Sequence, residues 1–110
     1  LEIHAQVVDI PVGDLGASAA RKYDLEAWLP GQAAYREVTS CSNTTDFQSR
    51  RLRIRTRGEQ ATEFVHTLNG TAIAIGRTIL ALLENHQQPD GTVAIPEALV
   101  PYTGFERLGA

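Results

Sequence analysis

The chain has 110 residues, of which 43% are hydrophobic and 21% charged, and it carries a net charge of −3. That length supports one small domain with a modest core and not two, and the charge gives no global attraction to nucleic acid or to an anionic membrane. No apolar run approaches a membrane span, the first residues lack the basic and apolar regions of a signal peptide, and the lone Cys41 cannot staple a fold, so a reducing, cytoplasmic setting is expected.

Ala5 to Ile10 is rich in valine and isoleucine and predicts a strand ended by Pro11. Pro11 to Gly16 is turn chemistry, and Ala17 to Lys22 suggests one short helical turn capped by Ser18 or Asp14. Tyr23 to Leu29 alternates, with Tyr23, Leu25, Ala27 and Leu29 on one face and Asp24, Glu26 and Trp28 on the other. Pro30-Gly31 ends it, and Arg36 to Ser42 is expected to return as an antiparallel partner. Arg51 to Arg57 shows the clearest two-residue period, with Arg51, Arg53, Arg55 and Arg57 on one face against Leu52 and Ile54. Half of the ten basic residues lie between Arg50 and Arg57.

Glu63 to Leu68 predicts a further strand, and Asn69-Gly-Thr71 a polar turn leading into a helix. Ala72 to His86 reads as that helix, with Ile75, Ile79, Leu82 and Leu83 forming its apolar stripe. Pro89-Asp-Gly91 is a turn, Val93 to Leu99 a short strand or bridge, and Pro101 to Gly104 an ordered tail. The sum predicts an α+β fold, an antiparallel sheet backed by helices, with no internal repeat and no dividing linker.

The chemistry-bearing residues are open to two readings each. No Walker loop, dinucleotide fingerprint, zinc spacing or nucleophile elbow is present, so Gly13 and Gly16 are turn residues and any nucleotide must be held by side chains on a sheet. Glu37 and Ser40 offer hard oxygens suited to a phosphate-bridging cation, or are a solvated strand pair. Arg77 is a surface arginine or a phosphate fork, with Gly76 beside it allowing close helix-to-sheet packing. Thr71 is a helix N-cap or a pocket hydroxyl, and Asn69 a turn residue or its helper. The arginine face is solvated or paired with Asp46, Glu59 and Glu63, with phosphate contact as the alternative. Cys41 is expected to be buried, and His66 and His86 to be core or helix-end groups.

Three segments carry a resemblance: Lys22-Tyr-Asp-Leu-Glu-Ala-Trp-Leu-Pro30, the run from Arg36-Glu-Val-Thr-Ser-Cys-Ser-Asn to Arg51, and His66-Thr-Leu-Asn-Gly-Thr-Ala-Ile-Ala-Ile-Gly-Arg77. In this order and spacing they resemble the C-terminal part of the catalytic domain of bacterial seryl-tRNA synthetases, which are class II aminoacyl-tRNA synthetases. The match runs from about Val12 to Gly104. The resemblance implies that Glu37, Val38, Thr39 and Ser40 contact ATP, with Glu37 and Ser40 as ligands of its Mg2+. It makes Arg77 the motif 3 arginine, a catalytic ligand of the ATP phosphates, and it places Thr71, helped by Asn69, against the substrate L-serine.

The implied parent is a cytoplasmic homodimer, not membrane-bound. It activates serine to seryl-adenylate and transfers it to the 3′ end of tRNA(Ser). Motif 1, motif 2 and the N-terminal tRNA-binding arm are absent from residues 1–110, so the piece alone is expected to be inactive. A chain that begins at Leu1 and contains no methionine also suggests a piece of something larger, trimmed or processed from a precursor. The alternatives are a non-catalytic nucleotide- or partner-binding module, or a homologue that activates a small amino acid for a non-tRNA acceptor.

Overall fold

A computed structural model describes residues 1–58 and 61–109. Its strands are β1 (Ala5–Asp9), β2 (Arg21–Leu29), β3 (Ala34–Asn43), β4 (Arg55–Arg57), β5 (Thr62–Phe64), β6 (Leu68–Thr71), β7 (Val93–Ala94) and β8 (Arg107–Leu108). Its α-helices are α1 (Phe47–Leu52), α2 (Ile75–Asn85) and α3 (Val100–Thr103). The main sheet has the order β1-β2-β3-β6, and β4-β5 and β7-β8 form separate antiparallel pairs. The fold is α+β, as expected. No helix among the described residues is long and apolar enough to cross a membrane.

The chain gathers into two compact units: Leu1–Gln6, Glu26–Val38 and Ile73–Ala110 form one, and Val7–Leu25 and Thr39–Ala72 the other. In the first unit Ala27, Leu29 and Ala81 are buried, with Ile3 and Val38 packed on them. Helix α2 seats itself through small residues there, and Asn85 Nδ2 donates to the Trp28 and Ala81 carbonyls, each at 2.8 Å. Glu84 Oε2 accepts the Gly31 N–H at 2.8 Å. The expected apolar stripe is therefore displaced. Ile75 is 72% and Ile79 51% exposed, Leu83 is exposed too, and only Leu82 of the four is half-buried. Two neighbouring stripes satisfy helical spacing, and close approach to a sheet selects the one with alanine. Gly76 plays no part in that approach, since a Cβ there would meet nothing within 4 Å.

The second unit is organised by buried hydroxyls. Thr44 Oγ1 donates to the Thr67 carbonyl at 2.9 Å, and Ser49 Oγ to the Val65 carbonyl at 2.5 Å. The Thr44 N–H bonds the Thr67 carbonyl and the Thr67 N–H bonds the Thr45 carbonyl. These bonds take the backbone of residues 65–67 out of any ladder. The strand expected over Glu63–Leu68 consequently splits into β5 and β6, and His66 lies exposed between them rather than in a core. His86 ends α2, as expected, its N–H bonding the Leu82 carbonyl.

The strand expected over Arg51–Arg57 begins too early. Phe47–Leu52 is helical, supported by an Arg50–Asp46 ion pair at 2.6 Å one turn apart, and Arg53 ends the helix at φ 57°. Only Arg55–Arg57 is extended. The helical turn expected over Ala17–Lys22 is also missing. Ala17 and Ser18 form a turn in which the Ala19 N–H bonds Gly16, and Arg21 and Lys22 open β2.

Asn69-Gly-Thr71 is strand, not turn. It forms β6, antiparallel to β3, with Ser40 opposite Thr71, Cys41 opposite Gly70 and Ser42 opposite Asn69. The helix starts later, after Ala74, so Thr71 caps nothing. Cys41 is exposed rather than buried. At Gly70 a Cβ would lie 2.8 Å from the Ser40 carbonyl oxygen, so the two strands approach too closely for a side chain. Gly70→Ala is expected to lower stability by about 1–3 kcal/mol, whereas Gly76→Ala raises it by about 0.5 kcal/mol. Thermal unfolding of the two variants checks this, and equal shifts would contradict the close approach.

The Pro89–Gly91 turn forms with Gly91 at φ 84°. Hydrogen bonds from the Thr92 hydroxyl at 2.7 Å and the Thr92 N–H at 3.0 Å hold the Asp90 carboxyl below its usual value of 3.8. A carboxylate depressed on folding contributes stability above its unfolded pKa and loses it as pH falls through the folded one. The Thr92 amide should thus keep its exchange protection down to pH 3.8 and lose it below that. An Asp90 carboxyl that titrates by NMR at or above 3.8 would contradict the turn.

Candidate nucleotide site

Within the first unit, Glu26, Gln32, Tyr35, Arg36, Glu37 and Arg77 line an open cleft of about 450 Å³. Strand alternation builds its floor. Glu26 and Trp28 share a face of β2, Tyr35 and Glu37 a face of β3, and the other face carries Ala27, Leu29 and Val38 toward the core. The Trp28 and Tyr35 rings meet edge-on at 5.1 Å, and the Tyr35 hydroxyl bonds His4 Nε2 at 3.0 Å. These contacts stiffen the floor beside Glu37.

Helix α2 delivers the arginine. The Ala74 N–H bonds the Val38 carbonyl at 2.9 Å, and Arg77 Nη1 donates to the Glu37 carbonyl at 2.5 Å. One donor of the guanidinium is thereby used to orient it, and the side chain stays exposed, with further donors available to an anion. Arg36 Nε donates to Gln32 Oε1 at 2.8 Å, and Glu26 Oε2 accepts from Gln6 Nε2 at 2.8 Å. Two guanidiniums and two carboxylates thus share one polar cleft, which suits a polyphosphate carrying a divalent cation better than an apolar ligand.

The expected site residues separate by unit. Glu37 and Arg77 line the cleft. Val38 does not; its side chain packs on the core and its carbonyl is taken by Ala74. In the second unit Ser40 and Thr71 face each other across β3 and β6, and the Thr39 hydroxyl donates to the Thr71 carbonyl. Asn69 lies opposite Ser42, and both Asn69 and Thr71 are exposed. A smaller depression of about 170 Å³ is lined by Val7, Tyr23, Asp24, Leu25, Thr39, Ser40 and Cys41. Its one charged residue is Asp24, which is buried and paired with Lys22 at 2.9 Å.

Sequence reasoning missed Glu26, Gln32, Tyr35 and Arg36 as cleft residues. Glu26 and Tyr35 were legible as face-mates of Trp28 and Glu37, but Gln32 sits in a one-turn 3-10 helix that no periodicity announces. The donor set fits Mg2+. Such an ion is ordinarily held by one or two carboxylates plus substrate phosphates, and the cleft presents the carboxylates of Glu26 and Glu37 beside two guanidiniums that suit phosphates. No group of three or more His, Cys, Asp or Glu forms a ready-made metal cage among the described residues.

Residues 1–86 match the tRNA synthetase class II core domain (G, H, P, S and T). The chain is 66% identical over 110 residues to a serine–tRNA ligase of Rubrobacter xylanophilus, covering 99% of this chain and 26% of that protein. It is 57% identical over 108 residues to the serine–tRNA ligase of Thermotoga maritima, covering 96% of this chain and 25% of that protein. A crystal structure of seryl-tRNA synthetase from Pyrococcus horikoshii complexed with ATP superposes with a TM-score of 0.93 at 59% identity, over 97% of this chain and 24% of that one. The cytoplasmic serine–tRNA ligase of Naegleria fowleri in complex with AMP gives 0.86 at 46%, over 96% of this chain and 25% of that one. The chain thus spans about a quarter of the relatives it matches. With residues 1–86 matched and the sheet, helix and cleft in place, the chain belongs to the class II tRNA synthetase core-domain family.

Proposed function

We propose that the chain supplies the ATP- and serine-handling C-terminal part of the catalytic domain of a serine–tRNA ligase. The observation that carries this is the shared cleft of Glu37 and Arg77, formed by a chain similar to synthetases solved with ATP and AMP. In this reading Arg77 binds the ATP phosphates. Its orienting bond to the Glu37 carbonyl holds the guanidinium ready, so little rearrangement is needed when charge builds on the transferring phosphate. Glu37 would supply the cleft's carboxylate to Mg2+, with Ser40 the second expected ligand, and the ion when bound would neutralise charge on the phosphate oxygens. Thr39 offers its backbone to the nucleotide, Val38 acts only by holding α2 through its carbonyl, and Thr71 with Asn69 receives L-serine.

A hydrogen bond between Thr71 and the substrate hydroxyl would select for serine, because an amino acid lacking that hydroxyl leaves the partner unpaired. The product is seryl-adenylate, and its acceptor is the 3′ end of tRNA(Ser). The parent is a cytoplasmic homodimer that works without a membrane. The remainder of the active site lies in the part of the relatives that this chain does not span. Isolated, the 110-residue chain should therefore bind ATP yet activate serine barely or not at all.

Equilibrium dialysis with ATP and Mg2+ tests this on the chain itself. Arg77→Ala should weaken ATP binding about tenfold or more, the expected loss for a charge-assisted hydrogen bond of about 1.5–3 kcal/mol. Because Arg77 is exposed, its removal should change stability by no more than about 1 kcal/mol. Unchanged ATP affinity in the variant would contradict the site. Brisk serine-dependent pyrophosphate exchange by the isolated chain would contradict its incompleteness.

A further inference from the structure

The arginines of α1 and β4 are not used by the cleft, and they form the most charged surface of the second unit. Arg50, Arg51, Arg53, Arg55 and Arg57 are all exposed. Of these five arginines only Arg50 has an ion pair among the described residues, with Asp46. Glu63 stands opposite Thr56 rather than an arginine, and Glu59 lies outside the described residues. The aromatic residues beneath them are already covered. The Arg50 and Arg55 guanidiniums lie 4.8 and 4.4 Å from the Phe64 ring centroid, and Arg51 lies 3.4 Å from that of Phe47.

Stacking of this kind fixes the plane of a guanidinium while leaving its edge donors free for oxygen acceptors. Gathering several like charges on one short helix and one short strand is unfavourable unless a polyanion relieves it. Arg55 and Arg57 also stand two residues apart on one strand face, a step of about 7 Å, comparable to the spacing of successive phosphates in a nucleic-acid strand. Phe47 and Phe64 each carry arginine over the ring, so the surface presents guanidinium edges rather than open ring faces.

The geometry points to a sequence-independent RNA-binding surface formed by Arg51, Arg53, Arg55 and Arg57, which grips phosphates and reads no bases. The choice of RNA over another polyanion rests on the proposed tRNA substrate. The overall charge of −3 does not oppose this, because phosphate contacts act within roughly a Debye length of about 8–10 Å.

Fluorescence anisotropy of the 110-residue chain with a short labelled RNA stem-loop, read across a salt series, tests it. Arg53→Asn combined with Arg57→Gln removes two charges; Asn tolerates the left-handed backbone at position 53, and the unfolding midpoint verifies that the variant is folded. The wild-type chain should bind with an affinity falling linearly in log salt. The double variant should lose about tenfold at low salt and flatten the slope by about 1.5, some 0.7–0.9 per phosphate lost. Arg107→Gln, on β8, should change neither, and a stem-loop of different sequence should bind equally well.

An unfolded double variant is replaced by Arg57→Gln alone, for which half the slope change is expected. Absence of RNA binding by the wild-type chain, equal slopes in wild type and a folded variant, or equal binding of polyglutamate would each overturn the surface. ATP dialysis on the same samples separates the two readings. Normal ATP binding without RNA binding removes the surface and leaves the nucleotide cleft standing. RNA binding that depends on Arg53 and Arg57 while ATP is not bound does the reverse.

Discussion

The hydrogen-bonded grip of α2 on strand β3 is the constraint on which the cleft depends. A main-chain N–H from Ala74 and a guanidinium N–H from Arg77 take the carbonyls of two successive residues, Val38 and Glu37. An exposed arginine would otherwise spread over many rotamers and lose much of that entropy on binding a ligand. Tethered at one nitrogen, it has met part of that loss during folding. Behind it, Ala81 against Ala27 and Leu29 sets how closely the helix approaches the sheet. A bulkier residue at position 81 would lift the helix and carry the arginine away from Glu37.

The second unit solves a different problem with polar groups. Its interior includes Thr44 and Ser49, both essentially without exposure, and each donates its hydroxyl to a carbonyl of the segment that precedes β6. Buried hydroxyls are tolerable only when bonded, and here they fix where β6 begins. Gly70 then allows β6 to approach β3, which sets Thr71 opposite Ser40. Large apolar groups are left outside. Val7, Tyr23 and Leu25 are exposed in this unit, and Ile75, Ile79 and Leu83 in the other.

The β2–β3 hairpin was legible because two-residue alternation bounded by Pro30-Gly31 has few other solutions. The pairing of Glu37 with Arg77 was not legible from spacing. It came from a family resemblance, because two residues separated by 40 positions carry no local signal of which carbonyl an arginine will reach. The misread segments share a cause. In Arg51–Arg57 an alternating pattern straddles a helix end, and a left-handed residue at Arg53 erases the register. In Glu63–Leu68, side-chain hydroxyls some twenty residues upstream claim the backbone. At α2 the composition offered two apolar stripes, and only the requirement for small residues against the sheet decides between them. Asn69-Gly70 looked like a turn because its glycine serves close strand approach instead of a positive φ.

The most direct measurement is an amide-shift map of the 15N-labelled chain titrated with ATP and Mg2+. Perturbations should centre on Glu37, Val38 and Arg77, with Tyr35 and Arg36 following and the Val93–Leu108 region unmoved. A map centred on β7 and β8, with Glu37 and Arg77 unshifted at saturating ATP, would contradict the account.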